Sequence, residues 1–392
     1  MNLAAAQEIA PRIVKIRREL HQIPELGQRE HKTSQFVVDQ LQQIGVDSVE
    51  TGVGGMGVVA TIKGNNSSGR MIGLRADMDG LPIVEQNRFA HRSRHEGAMH
   101  ACGHDGHTAM LIGAASLLCQ TRDFDGTVVL IFQPAEEGLA GAREMVRDGL
   151  FSRYPIQEIY ALHNWPELPL GEIGVCTKSA MAARDDFQIE IIGNGGHAAQ
   201  PHRTTDPILV GARVIEALQS IVSREIDPKD SAVVSVHSIR SGNDIALGQP
   251  TENASIPDRL LLGGIAKWLL QDTGTYLEKR LRHITESIAA ASGARANVVY
   301  EQFLPPVIND TRCAGRVTEV AQALISTELV NSHHPPTMAS EDFSFMLQAV
   351  PGAYFFLGTG GPAQKALHHP QFDFNDDSIA LGIAVLSQLV LG

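Results

Sequence analysis

The densest group of reactive side chains lies between His100 and His107, in the run HACGHDGH. It holds three histidines, a thiol and a carboxylate within eight residues. Thiolate and imidazole suit Zn²⁺ and similar ions, while carboxylates also admit Mn²⁺. A histidine-rich loop before a helix, with Asp105 at the helix N-terminus, is the alternative. The spacing favours a metal site that includes Cys102 and His104.

A second group, Glu136 and Glu137, follows the apolar run TVVLIF within QPAEEG. In a parallel α/β sheet, ligands bind beyond the carboxyl ends of the strands. Adjacent carboxylates there point in different directions, so that one can bind a metal while the other faces a water molecule. A nearby cation would also relieve their mutual repulsion. Taken alone, the segment is equally compatible with an acidic loop at the start of a helix.

Further polar residues also follow apolar runs. His163 follows IYAL, His368 comes after AYFFLG and a glycine-rich loop, and Asp77 and Asp79 follow MIGL. A single histidine after a strand is more often structural than a ligand, but several such clusters in one chain favour a shared metal site. Carboxylates in this position commonly orient a ligating imidazole. Helix capping is the alternative for Asp77 and Asp79.

These clusters require a scaffold that brings strand ends together. Apolar runs that suggest strands buried on both faces alternate with helical patterns in the first part of the chain, which predicts an α/β domain with a largely parallel sheet. The predicted strands are 57–62, 71–74, 127–132 and 159–162, and the predicted helices are 31–44, 105–120 and 140–150.

The pattern changes near residue 184, where polar and apolar residues begin to alternate. Two strand–helix units follow, which predict a small α+β domain inserted into the catalytic domain. The predicted domains are 1–183 and 304–392 for the catalytic part and 184–303 for the insertion. The predicted elements from there on are strands 187–192, 232–239, 296–303 and 353–358, with helices 206–224, 272–292, 312–327 and 376–391.

Bulk properties limit the partners. The 392-residue chain has a formal charge of −12 and a pI near 5.7, which argues against nucleic acid as a partner. Its N-terminus lacks the features of a signal peptide, and no apolar stretch is long enough to span a membrane. The four cysteines are widely spaced and do not have the pattern of a disulfide framework. We therefore expect a cytoplasmic protein.

The motifs together closely resemble the bacterial hippurate hydrolases and N-acyl-amino-acid amidohydrolases. Plant hydrolases of auxin–amino-acid conjugates are similar, and all belong to a wider aminoacylase and carboxypeptidase family. The resemblance runs in order from residue 17 to about 377, and HACGHDGH and QPAEEG make it specific. The matching segments are RRELHQIPELG, LRADMDGLP, MHACGHDGHTAML, FQPAEEG, LHNWPELP, GHAAQPH, MASEDF and LHHPQFDFND.

The resemblance implies a role for individual residues. It implies Glu136 as the general base, and His197 of GHAAQPH as a lid-domain histidine that reaches the partner subunit's active site and polarises the scissile carbonyl. It also implies an inserted lid or dimerisation domain, and hence a homodimer or a dimer of dimers. The implied metal ligands are Cys102, His104, Glu137, His163 and His368.

The chain departs from the family pattern in the inserted domain. Relatives often show Asn-Val-Ile-Pro-Asp, whereas here Asn253 is one residue out of register in NASIPD. Lys267 stands where an arginine is common, and lysine lacks the bidentate fork of arginine. Both positions help to hold the substrate carboxylate in the family, so Asn253 is a predicted substrate-binding residue and the choice of substrate stays open.

The expected function is metal-dependent hydrolysis of the amide bond of N-acyl amino acids. Two divalent ions per subunit are expected, and the mixed ligand set is compatible with Zn²⁺, Mn²⁺, Ni²⁺ or Co²⁺. A metallo-dipeptidase or aminopeptidase on the same scaffold is one alternative. A non-catalytic metal-binding protein is another, although a general base beside the ligands speaks against it.

Overall fold

The computed structural model describes residues 3–242, 255–362 and 364–391. The chain divides into two units. Unit 1 comprises 1–180, 307–336 and 341–392, and unit 2 comprises 181–306 and 337–340. The sequence predicts an insertion over 184–303 and does not predict that the short segment 337–340 belongs with it.

Unit 1 is built on an eight-stranded sheet. Four neighbouring strand pairs are parallel and three are antiparallel, and the parallel pairs include the centre of the sheet. This confirms the predicted α/β fold with a mostly parallel sheet. In spatial order the strands are β1 (Ser48–Val53), β2 (Gly57–Lys63), β4 (Asp125–Gln133), β3 (Asn66–Asp77), β5 (Glu158–Pro169), β16 (Gly352–Gly360), β6 (Ile173–Val175) and β15 (Val330–Asn331).

Helices surround this sheet. The predicted helix at 140–150 is two short helices, because Gly149 adopts a left-handed φ of 85° between them. The helices of unit 1 are α1 (Leu3–His21), α2 (His31–Ile44), α3 (His104–Thr121), α4 (Glu136–Leu139), α5 (Gly141–Arg147), α6 (Leu150–Arg153), α9 (Thr311–Leu324), α10 (Ser344–Ala349) and α11 (Ile379–Leu391).

Helix α3 is buried on nearly all sides because its sequence carries apolar side chains all round. It packs between the sheet, α1 and α11. Helix α1 presents one apolar face, with Ile13 and Leu20 fully buried. The first turn of α3 is thereby held at a fixed position in the core of unit 1.

Unit 2 has an antiparallel four-stranded sheet with two long helices on one face. Residues along β8 alternate between buried and more exposed positions, as expected for a sheet covered on one face. Strand β12 was not among the predicted elements. The elements are β10 (Ala232–Ser241), β12 (Arg259–Trp268), β8 (Ala183–Ile192), β13 (Arg295–Leu304), α7 (Pro207–Ser220) and α8 (Gln271–Ala291).

Two further pairs of short strands complete the described strands, β9 (Gly196–His197) with β11 (Ser255–Ile256) and β7 (Ser179–Met181) with β14 (Val307–Ile308). Each unit has its own apolar core. Within the described ranges, no helix is long and apolar enough to cross a membrane.

Candidate metal centre

The predicted strand-end residues gather at one edge of the unit 1 sheet. Asp77 is the last residue of β3, and Gln133 is the last residue of β4, just before Glu136 and Glu137. His163 lies in β5. Strands β4 and β5 both run parallel to β3 and flank it, so their carboxyl ends lie at the same edge.

Five predicted ligands form two groups that share the thiol of Cys102. The first group is Cys102, His104 and His163, and the second is Cys102, Glu137 and His368. Within each group the possible ligand atoms all lie within 4.8 Å of one another. Cys102 Sγ is 3.4 Å from His163 Nε2. The fold thus brings together all five residues that the resemblance implies as ligands.

The ring of His163 is oriented by the backbone. Its Nδ1 donates to the carbonyl oxygen of Asn164 at 2.7 Å, which leaves Nε2 to face Cys102. Burial, followed by the nearby His107, holds the pKa of His163 well below its ordinary value. The imidazole is therefore neutral, which is the form that binds a metal.

The ring of His104 is held by Asp79. His104 Nδ1 donates to Asp79 Oδ1 at 3.1 Å, while its buried Nε2 has no hydrogen-bond partner. The other oxygen of Asp79 accepts the backbone N–H of Glu137 at 3.0 Å. Asp79 therefore connects two of the predicted ligands, an arrangement typical of the carboxylates behind metal sites.

Asp77, which we expected to orient a ligating imidazole, makes its hydrogen bond to a different histidine. Its Oδ1 accepts from His107 Nδ1 at 2.6 Å. Its Oδ2 lies 3.8 Å from His104 Nε2, beyond hydrogen-bond distance. We did not predict Asp77 as a metal ligand. Because it makes no hydrogen bond to His104, it acts on that ring through its charge.

The turn that carries Glu136 and Glu137 has an unusual backbone. Ala135, just before it, has a left-handed φ of 55°, and His368 opposite has a φ of 64°. Non-glycine residues rarely adopt this conformation, and strained residues of this kind often cluster at functional sites. Glu137 Oε1 is buried without a hydrogen bond, although His368 Nε2 lies only 3.2 Å away.

Several carboxylates lie around the shared thiol. Burial, followed by Glu137 and Glu136, raises the pKa of the Cys102 thiol well above its ordinary value. Burial, followed by Glu341 and Glu137, likewise raises the pKa of Glu136. Both groups would ionise readily only beside an added cation. The unpartnered atoms of His104 and Glu137, the sulfur–nitrogen–oxygen ligand set and this group of carboxylates all fit divalent metal ions.

Two contacts near the ligands were not predicted. His107 Nε2 accepts the backbone N–H of Asn164 at 3.0 Å, so His107 connects α3 to β5. Gly103 precedes α3 with a φ of 95°, and a Cβ there would lie 2.2 Å from the side-chain oxygen of Asn164. The sequence signals for these contacts were His107, within the predicted ligand run, and Gly103, directly before His104.

The remaining predicted residues belong to unit 2 or lie outside the described residues. His197 is exposed on β9, and its Nδ1 accepts the N–H of Ala199 at 3.1 Å. The Nζ of Lys267 donates to the carbonyl of Met338 at 2.8 Å and to Ser340 Oγ at 2.9 Å. These bonds hold the segment 337–340 against β12. Asn253 lies outside the described residues.

Comparison with known proteins adds an independent observation. A sequence profile described as peptidase family M20/M25/M40 matches residues 73–392. The chain is 39% identical over 368 residues to N-acetyl-L-cysteine deacetylase of Bacillus subtilis (strain 168), covering 94% of this chain and 84% of that protein. It is 36% identical over 377 residues to hippurate hydrolase of Campylobacter jejuni, covering 96% and 95%.

A solved structure from the same family is also similar to this chain. The Bacillus subtilis YXEP protein, described as a dinuclear metal binding peptidase of the M20 family, superposes with a TM-score of 0.83 and 32% sequence identity. The superposition covers 98% of each chain.

Proposed function

The chain belongs to peptidase family M20/M25/M40, and we propose that it hydrolyses the amide bond of N-acyl amino acids. Hippurate and N-acetyl amino acids are the substrate class, since two of its relatives carry the names hippurate hydrolase and N-acetyl-L-cysteine deacetylase. The products are a carboxylic acid and a free amino acid.

The observation that carries this proposal is the pair of three-residue groups that share Cys102. We propose that Cys102, His104 and His163 hold one divalent cation and that Cys102, Glu137 and His368 hold a second. Zn²⁺, Mn²⁺, Ni²⁺ and Co²⁺ all suit this mixed set. When bound, the two cations supply Lewis-acid polarisation and neutralise developing negative charge.

Glu136 is the general base of the proposed reaction. It lies beside the ligand Glu137 and faces the same groups, within 4.8 Å of His104. Its carboxylate removes a proton from the attacking water as the oxygen bonds to the amide carbon. The C–N bond then breaks, and the protonated Glu136 returns the proton to the leaving nitrogen.

Replacement of Glu136 tests this role. Glu136→Gln keeps the size of the side chain but removes its basicity, and general acid–base catalysis typically contributes about 10²–10⁴-fold. We expect kcat to fall by at least the lower end of that range while metal content, measured by elemental analysis, is unchanged. Activity near that of the wild-type protein would contradict the assignment.

A substrate panel separates this proposal from a dipeptidase or aminopeptidase activity. Hippurate and N-acetyl amino acids are assayed beside dipeptides with a free α-amine, each with Mn²⁺, Zn²⁺, Ni²⁺ or Co²⁺ restored after chelation. We expect a higher kcat/KM for the acylated compounds. Preference for free dipeptides would support the peptidase alternative, and absence of any turnover would support a metal-binding protein without catalysis.

We further propose a homodimer in which His197 serves the partner subunit's site. Because Nδ1 of His197 accepts the N–H of Ala199, the ring proton lies on Nε2. That N–H can donate to the oxyanion that forms at the carbonyl oxygen. Loss of one such donor typically lowers kcat by about 10²–10³-fold.

Mixing two inactive variants tests this arrangement. Each dimer that combines a Glu136→Gln subunit with a His197→Ala subunit contains one site with both groups intact. After random exchange, roughly a quarter of the sites should be active, whereas each variant alone stays inactive. A mixture no more active than its components would contradict service of the partner's site, and light scattering reports the oligomeric state independently.

The cytoplasm is the proposed location. All four cysteines are free, and three of them are buried. A bound metal requires Cys102 as a thiolate rather than a disulfide. A reducing compartment maintains that state.

A further inference from the structure

A buried arginine binds side chains that lie next to the candidate metal centre. Arg75 is on β3, two residues before Asp77, and only 1% of its surface is exposed. Its Nε donates to Gln133 Oε1 at 2.8 Å, its Nη1 to Asp77 Oδ2 at 2.8 Å, and its Nη2 to Glu341 Oε1 at 2.9 Å. The guanidinium group thus reaches three segments of unit 1, namely the end of its own strand β3, the end of β4 and the loop at Glu341.

Asp342 adds a second connection between two of these segments. It accepts from the side chain of Gln133 at 2.7 Å and from the backbone N–H of Ala142 at 2.8 Å. Gln133 and Ala142 stand on either side of the turn that carries Glu136 and Glu137. We call Arg75, Asp77, Gln133, Glu341 and Asp342 the Arg75 cluster.

The turn needs such support because its backbone is unfavourable. Ala135 and Ala140 both have left-handed φ values of 55°. Conformations of this kind persist when the surrounding structure holds them. Within the described residues, the hydrogen bonds that Asp342 accepts lie just outside the turn on both sides. The Arg75 cluster therefore helps to fix where Glu136 and Glu137 lie relative to the sheet, together with Asp79, which binds the Glu137 backbone directly.

Asp77 connects the Arg75 cluster to the histidines of α3. Asp77, held by Arg75, accepts the Nδ1–H of His107 at 2.6 Å, and its backbone carbonyl accepts the hydroxyl of Thr108 at 2.8 Å. These bonds fix the first turns of α3, which begins with the predicted ligand His104. Through Asp77, Arg75 is thus connected to α3, which begins with His104. Through Gln133, it is connected to the turn that carries Glu136 and Glu137.

We propose that Arg75 is a positioning residue for both metal groups. The planar guanidinium group of Arg75 holds the end of β3, the end of β4 and the loop at Glu341 in the relative arrangement that brings the proposed ligands together. A lysine at this position carries the same charge, but its three donors share one compact nitrogen and lack the spread of the rigid guanidinium fork that reaches these three segments at once. The inference rests on the proposed metal-dependent function of the same site.

The matched test compares Arg75→Lys with Arg17→Lys. Arg17 is also fully buried and also faces three carboxylates, but it contacts none of the predicted ligands. For each protein, metal affinity is measured by titrating the chelated form with Mn²⁺ or Zn²⁺ in a calorimeter. Melting temperature and the kcat and KM for hippurate at saturating metal complete the set.

We expect Arg75→Lys to bind metal about 10–100-fold more weakly, as is typical when the support of a ligand is lost. Its kcat should fall by about 10²-fold, because small misplacement of catalytic groups has effects of that size, while KM changes little. Arg17→Lys should keep the metal affinity and kcat of the wild-type protein despite a lower melting temperature. Equal metal affinity and kcat in the two variants would overturn the proposal.

Two further variants cover a failure of Arg75→Lys to fold. Asp342→Asn and Glu341→Gln keep Arg75 and the side-chain size, and each should weaken metal binding with KM unchanged. Unchanged metal affinity in both would also overturn the proposal. If the wild-type protein binds metal but does not hydrolyse acylated amino acids, the proposed function fails, and the calorimetric comparison still decides the role of Arg75.

Discussion

Unit 1 contains two buried arginines that each face three carboxylates, and they connect different kinds of structure. Arg75 lies on a central strand and joins strand ends and a loop around the candidate metal centre. Arg17 lies on α1 and joins that helix to the start of α3 and to the C-terminal segment. The carboxylates are Asp77, Glu341 and Asp342 for Arg75, and Asp105, Asp373 and Asp376 for Arg17.

The two clusters differ in how well their charges balance. Beside Arg17, the ring of His21 binds Asp105 at 2.8 Å. Against the effect of burial, Arg17 and His21 lower the pKa of Asp105. Beside Arg75, burial and Glu341 raise the pKa of Asp342 instead. In the first cluster Arg17 and His21 both hold Asp105, whereas in the second Asp77 also adds negative charge near Cys102, where the proposed metal ions would bind.

The largest effect should follow from removing each cation. Arg75→Met and Arg17→Met both leave buried carboxylates without their partner, which typically lowers the free energy of unfolding by about 3–5 kcal/mol. We expect losses in that range for both metal-free proteins, measured by urea unfolding after chelation.

Adding metal should then separate the two variants. A ligand that binds the folded state stabilises it in proportion to the logarithm of its affinity. If Arg75→Met binds metal about 10–100-fold more weakly, its metal-dependent gain in unfolding free energy shrinks by about 1–3 kcal/mol. Arg17→Met should keep the full gain. The same gain in both variants would remove the distinction between the clusters.

Much of this site could be predicted from the sequence. Apolar runs predicted strands that end shortly before Asp77, Glu136 and His163, because strands buried on both faces have a clear composition. Strand ends of a parallel sheet meet at one edge, so the gathering of the predicted ligands followed from the fold class. The shared position of Cys102 in both groups depends on three-dimensional geometry and could not be predicted from spacing.

The supporting residues were harder to predict for a physical reason. Arg75 stands in a buried strand, and a charge there requires partners, but its partners Glu341 and Asp342 lie more than 260 residues away. Local periodicity contains no information about such pairs. For the same reason Asp79, which holds His104, could not be distinguished from Asp77 in the motif RADMDG. Segment 337–340 is too short to show a composition of its own.

A smaller effect concerns pH and is confined to the Arg17 cluster, which consists of Arg17, His21, Asp105, Asp373 and Asp376. Burial lowers the pKa of His21, but Asp105 and Glu85 more than offset it and raise that pKa to about 9. Because the pKa in the folded protein exceeds the ordinary value of 6.5, protonated His21 contributes stability that is fully present below pH 6.5. This contribution is lost as the pH rises through about 9.

The expected contribution is about 3 kcal/mol, from the size of the pKa difference. His21→Gln should therefore reduce the fall in unfolding free energy between pH 6.5 and 9, measured by urea unfolding of the metal-free proteins. His31→Gln, at an exposed position on α2, is the matched control and should keep the wild-type slope. If His21→Gln also keeps that slope, the Arg17 cluster does not depend on a protonated histidine for its balance. The contrast with the Arg75 cluster would then rest on geometry alone.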